Sequence, residues 1–153
     1  MAGKEHIRAL MREIGPQMAL AQVTEFESEG TWTLMPDEDT VLFADYDEAG
    51  GRLVLSAEAG RPIEAGRLGL YDLLLRYNNS WAETGGVRMA LDGEGTVVQL
   101  FDLPSADLDL PRLQAVVTGF IDTLRAWREI VGRAGGGSTE AAFGPMLGGM
   151  IRG

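Results

Sequence analysis

The hydrophobic period of this chain changes four times, and that constrains its fold more than any single motif. Residues 4–14, KEHIRALMREI, place Ile7, Leu10, Met11 and Ile14 at i, i+3, i+4 and i+7, one apolar stripe of a helix closed by Gly15-Pro16. Residues 17–29 show no dominant period and read as connection. From Thr31 the period falls to two. TWTLM, TVLFADY and RLVLSAE are alternating, β-branched and aromatic runs separated by turn residues at Pro36–Asp39 and DEAGG, which predicts three strands in an antiparallel meander.

Helical spacing returns over residues 66–82, GRLGLYDLLLRYNNSWA, with Leu70, Leu73, Leu74, Tyr77 and Trp81 in phase. Leu68, Tyr71 and Leu75 make this helix apolar over more than one face, so burial on two sides is expected, the second supplied by another subunit. VRMALD and TVVQLFD follow as strands joined by Gly93-Glu94-Gly95, both glycines being expected to supply the φ freedom of a tight hairpin. Asp109 is a candidate N-cap, with Pro111 in the first turn of a last helix carrying Leu113, Val116, Val117, Phe120, Leu124, Trp127 and Val131. The order α-β-β-β-α-β-β-α defines an α+β class, an antiparallel sheet packed by helices.

One domain over residues 1–134 is expected, followed at 135–153 by a Gly-rich linker (GGGS) and a weakly helical apolar tail. Phe143, Met146, Leu147, Met150 and Ile151 form a stripe in that tail among Gly144, Pro145, Gly148 and Gly149, so it is expected to fold only by docking on an apolar groove.

Charge narrows the partners. The formal net charge is -10; no Lys or Arg stands between Arg12 and Arg52, and nine acids fall between Glu25 and Glu48. Such a surface repels phosphate backbones and anionic lipid, so nucleic acid is not an expected partner and a basic or neutral polypeptide is. No apolar run approaches the roughly 18 residues of a membrane span, and MAGKEHIRAL lacks the apolar core of a signal peptide, so no membrane insertion and a cytoplasmic location are expected. The chain has no cysteine, which excludes disulfides and thiolate zinc sites.

Catalytic chemistry finds little footing. The only histidine, His6, stands beside the first apolar stripe without a metal-ligand set or a nucleophile. Asp37, Glu38 and Asp39 are consecutive, unlike the alternating ligands of a calcium loop, and with Asp45, Asp47 and Glu48 they read as solvated turns. Gly85-Gly86 and Gly93-Glu94-Gly95 match neither a Walker loop nor a dinucleotide fingerprint, both of which need a strand running into a helix. No catalytic, metal or cofactor-binding residue is assigned, and a non-enzymatic role is expected.

The stretch LLLRYNNSWAETGGVRMALDGEGTVVQLFDLP, the following DLDLPRLQAVVTGFIDTLRAWREIV, and the opening helix with its three strands together resemble the class I type III secretion chaperones, the family typified by the Tir chaperone CesT. Gly86-Val87 to Asp92, Val97 to Leu100, Leu103-Pro104 and Trp127 occupy that family's strand, turn and late-tryptophan places, over about residues 4–132. The resemblance implies a cytoplasmic homodimer that holds the N-terminal region of an effector protein in extended form, without ATP, cofactor or catalysis.

It further implies, element by element, a client-binding patch at Ile7, Leu10, Met11, Ile14, Trp32, Leu34, Leu42, Phe43, Leu53 and Leu55. The dimer interface it implies comprises Leu70, Leu73, Leu74, Tyr77, Trp81, Val87 and Met89. A charge at Leu74 or Trp81 is then expected to dissociate the dimer. The competing classes are a stand-alone regulatory module of the same fold, like the YbjN-type proteins, with no secretion client, and an enzyme built on scattered carboxylates.

Overall fold

Why residues 17–29 hide a strand becomes clear from their partners. The computed structural model describes residues 3–134, with α1 at Lys4–Met18, β1 at Gln22–Phe26, β2 at Thr31–Asp37, β3 at Thr40–Asp47 and β4 at Arg52–Gly60. After a short 3-10 turn follow α2 at Arg67–Asn79, β5 at Arg88–Leu91, β6 at Val97–Pro104 and α3 at Leu110–Arg133. The class is the α+β one expected, with one strand more than the sequence reading gave. That strand, β1, pairs antiparallel with β2, Val23 opposite Leu34 and Glu25 opposite Trp32. Glu25 therefore occupies an inward position, where Arg8 Nε donates to its carboxylate at 2.7 Å. A charge at an inward position breaks the apolar alternation by which a strand is recognised.

The six strands form one sheet in the order β1-β2-β3-β4-β6-β5. The pairs β1–β2, β2–β3, β3–β4 and β5–β6 are all antiparallel. The chain divides into two units, residues up to Ala57 with Asp102–Thr118, and Glu58–Phe101 with residues from Gly119 onward. The tail expected at 135–153 lies outside the described residues.

In the first unit α1 runs past Gly15-Pro16, because a proline in the last turn forfeits only one hydrogen bond. It ends at Ala19, which takes the left-handed conformation (φ 53°), while Leu20 N–H donates to Gly15 O at 2.9 Å in the six-to-one pattern of a Schellman cap. Ile7, Leu10, Met11 and Ile14 are buried, as are Trp32, Leu34, Leu42, Leu53 and Leu55 from the strands. His6 Nε2 lies 2.7 Å from Leu108 O and ties α1 to the turn before α3. Arg52 bonds Asp47 at 2.9 Å and Asp102 at 2.8 Å, and Ser105 N–H donates to Gly51 O, fixing the β3–β4 hairpin tip. Asp109 caps α3 as expected, its Oδ1 accepting from Arg112 N–H at 2.9 Å.

In the second unit the in-phase stripe of α2 turns inward. Tyr77 meets Trp127 edge to face, ring centroids 5.0 Å apart at 87°. Burial is the main cause that pushes the Tyr77 phenol up to about 12; Trp127 beside it opposes this, although the indole N–H and the hydroxyl do not reach hydrogen-bond geometry. Gln99 is fully buried and donates to Phe120 O at 3.0 Å. At the β5–β6 turn Gly95 alone of the glycine pair takes a positive φ (84°), and Gly93 does not need its freedom. Asp92 does much of the work instead, its carboxylate accepting N–H from Glu94 at 2.8 Å and Thr96 at 3.0 Å. Gly86 (φ 99°) is required for a second reason, since a Cβ there would stand 3.2 Å from the Phe101 ring.

Two outcomes follow. Ala19→Gly is expected to stabilise the protein by about 0.5–1 kcal/mol in urea unfolding, because it removes left-handed strain at the cap. The Thr96 and Glu94 N–H groups hold the Asp92 carboxyl below its ordinary value. A depressed native pKa contributes stability that is complete above the unfolded value of about 4 and fades as pH falls toward the native one. Asp92→Ala is thus expected to lower the urea midpoint at pH 7 and to matter progressively less below about pH 4.

Candidate protein-binding surface

Strand alternation divides the first unit's residues between an interior and an outer face. The register aligns Val23, Leu34 and Leu42 in one inward row and Glu25, Trp32, Ala44 and Leu55 in the next. The outward rows are Phe26, Thr31, Asp45 and Val54, then Thr24, Thr33, Phe43 and Ser56. Of the ten client-patch residues expected from sequence, nine are interior: Ile7, Leu10, Met11, Ile14, Trp32, Leu34, Leu42, Leu53 and Leu55 are each 6% exposed or less. Phe43 alone lies outside, 40% exposed, joined on the outer face by Phe26 (44%) and Val41 (37%). Phe26 and Val41 were missed because apolar periodicity finds what a core needs; an exposed aromatic at an off-phase position has no such signal.

Beside this face, β1 stands at the end of the strand order, so among the described residues one of its edges has no strand next to it. β5 ends the order on the other side, but Asn78 of α2 occupies it there. The Asn78 amide donates to Met89 O at 2.8 Å and its oxygen accepts Met89 N–H at 2.9 Å, the pair of bonds that another strand would make. Among the described residues, the edge left to another strand is that of β1.

A groove of about 470 Å³ runs between the end of α1 and β1, lined by Met11, Pro16, Ala19, Leu20, Val23 and Trp32 among others, with Arg12 also on its wall. It forms because Gly15 lets the helix approach closely: a Cβ there would lie 3.2 Å from Val23 Cγ2. Glu25, which also lines it, is neutralised by Arg8, and Arg8 in turn meets Glu5 and Glu27. The hydrogen bond that Arg8 donates to Glu25 raises its guanidinium above the ordinary value; desolvation opposes this, and the charges of Glu25 and Glu5 add to it.

The interface expected on α2 is redistributed in the same way. Leu70, Leu73, Leu74, Tyr77 and Met89 are buried in the second unit, and Val87 is half-buried. Trp81 lies beyond the end of α2 and is 74% exposed. The helix's second apolar face is Leu68 (83%) and Leu75 (71%), on a stripe with Asp72 and Arg76, which pair at 2.9 Å. Among the described residues no group of three or more His, Cys, Asp or Glu could hold a metal ion, and no helix is long and apolar enough to cross a membrane.

These features are those of an α+β chain with a helix-flanked antiparallel sheet, an apolar outer face, a groove and, among the described residues, an open edge strand. Residues 9–128 match the sequence profile of the Tir chaperone protein (CesT) family, and the chain belongs to that family. It is 30% identical over 95 residues to a Chlamydia pneumoniae protein, a match covering 61% of this chain and 72% of that one. Its fold is similar to a chain of the ExsC–ExsE complex (TM-score 0.73, 20% identity, 86% of this chain and 97% of that one). It is also similar to a chain of the HopA1–SchA chaperone–effector complex (TM-score 0.66, 20% identity, 82% and 95%). A further likeness is to the structure of the Yersinia pestis type III secretion chaperone SycH with a fragment of YscM2 (TM-score 0.60, 25% identity, 78% and 97%).

The inward and outward assignments have a direct check. Leu42→Ala is expected to cost about 2–5 kcal/mol in urea unfolding, as a buried large-to-small change does. Its neighbour Phe43→Ala is expected to cost under about 1 kcal/mol. Equal costs would refute the facing of β3.

Proposed function

We propose that this protein is a non-catalytic chaperone that binds the N-terminal segment of a secreted effector in extended form and keeps it competent for secretion. The observation that carries this reading is the open edge of β1, flanked on one side by the groove and on the other by Phe26 and Phe43. A disordered segment that orders on binding loses conformational entropy, so it needs both main-chain bonds from an edge and apolar pockets to offset the loss. Membership of the CesT family and likeness to chains from chaperone–effector complexes support the same role. No ATP, metal or cofactor is required for it, and it belongs in the cytoplasm.

The protein acts as a homodimer in this proposal. The surface that suits a second copy is the outer stripe of α2, Leu68 and Leu75 with Trp81 nearby, rather than the buried residues of the same helix. Asp72 and Arg76 on that stripe allow a two-fold partner to present each charge to its opposite.

Hydrogen exchange of the full chain mixed with the N-terminal segment of an effector encoded beside it is expected to slow at the amides of β1. Slowing at β5 instead, or retention of a folded partner only, would sink the strand-addition reading. Leu75→Asp is expected to keep native circular dichroism and shift light scattering from dimer to monomer, whereas Leu74→Asp is expected to unfold the protein by burying an unpaired charge. A folded Leu75→Asp dimer would remove α2 from the interface.

A further inference from the structure

We infer that the segment added to β1 is an alternating apolar and basic strand, its apolar residues turned to the groove and its Lys or Arg residues turned to the outer face. This rests on the strand-addition proposal above and specifies the chemistry of the occupant. A strand laid along β1 sends alternate side chains to opposite sides of the sheet. On the inward side it meets Val23 and the groove walls of Met11, Leu20 and Trp32, where the one carboxylate, Glu25, already has Arg8 at 2.7 Å. A charge brought there finds no unneutralised opposite charge from Glu25, so that side accepts apolar residues.

The outward side differs. Its rows carry Phe26, Phe43 and Val54 among Thr24, Thr31, Thr33 and Ser56, and its one charge is Asp45, held by the Thr31 hydroxyl at 2.5 Å. The turns that border β1, β2 and β3 add Glu27 and Glu29, then Glu38 and Asp39, then Glu48, and all five are exposed. No Lys or Arg occurs from residue 13 to residue 51. The cations brought in from elsewhere are Arg8, on Glu5, Glu25 and Glu27, Arg52, on Asp47 and Asp102, and Lys4, whose Nζ donates to Glu27 O at 3.0 Å in the β1–β2 turn, while Arg12 stands on the groove wall, on the inward side. The outer face thus sits in a negative potential, to which Asp45 and the β1–β2 turn acids Glu27 and Glu29 contribute beside an added strand. Phe26, next to that strand, can receive the methylene stem and cation of a Lys or Arg on its ring.

The test uses three fluorescein-labelled twelve-residue peptides with valine at every second position and lysine, glutamine or glutamate between, titrated against the full chain and followed by anisotropy. The lysine peptide is expected to bind at least about tenfold more tightly than the glutamine peptide at 50 mM salt, with the gap closing at 300 mM, and the glutamate peptide is expected not to bind. The triple variant Glu27→Gln, Glu29→Gln, Asp45→Asn, folded by circular dichroism, is expected to shrink the gap to about threefold or less. Equal, salt-independent binding of the lysine and glutamine peptides would overturn the basic character while leaving strand addition standing. Binding of none of the three, or protection away from β1, would overturn strand addition itself. Undiminished lysine-peptide binding to a Phe26→Ser, Phe43→Ser variant would overturn the inference too, by showing diffuse attraction to net charge.

Discussion

The contact between Arg8 and Glu25 is the one on which the working surface depends. Glu25 stands on the inward side of an edge strand, where a lone carboxylate would draw water between helix and sheet. Arg8 donates to it at 2.7 Å, and the two side chains are largely covered, 12% and 24% exposed. The pair holds α1 against β1, and Gly15 lets the helix end come close enough for the groove to have a floor. Besides its ladder to β2, β1 is held by this ion pair, by the approach of Gly15 to Val23 and by Lys4 Nζ donating to Glu27 O at 3.0 Å just beyond its end. The ion pair and the close approach at Gly15 together shape the groove beside the β1 edge.

Much of the scaffold was legible in the residues. α2 and α3, the β2–β4 meander and the β5–β6 hairpin follow from periods of 3.6 and 2, because each of these elements buries one apolar row and says so. β1 was not legible, since its inward row alternates Val23 with a charge whose neutralising partner lies 17 residues away in sequence. The reach of α1 past Pro16 was hidden for a related reason: proline near a helix end removes one bond, and the left-handed Ala19 completes the cap where a glycine would have announced it.

The candidate site was legible in its elements and not in its residues. Periodicity singles out Ile7, Trp32, Leu34 and Leu70, and these are the side chains that the fold itself consumes. The large apolar residues left exposed belong to the complementary phase, Phe26, Val41, Phe43, Leu68 and Leu75, which reads in sequence as noise on a polar face. The α2 helix shows the division most plainly. Its apolar circumference does have two destinations, with Leu70, Leu73, Leu74 and Tyr77 going to the interior and Leu68 and Leu75 to the outside.

The Asn78 amide bears on how many chains can ever be joined. A sheet with two accessible ends is a monomer in the polymer sense: each addition recreates the site for the next, and the product is a ribbon of indefinite length. Because Asn78 holds both backbone groups of Met89 at one end, a strand arriving there has no complete ladder to join. Growth by strand pairing is then disfavoured at the β5 end. An asparagine side chain thus does at one end of the sheet what a further strand would do, and leaves the two ends of the sheet unequal.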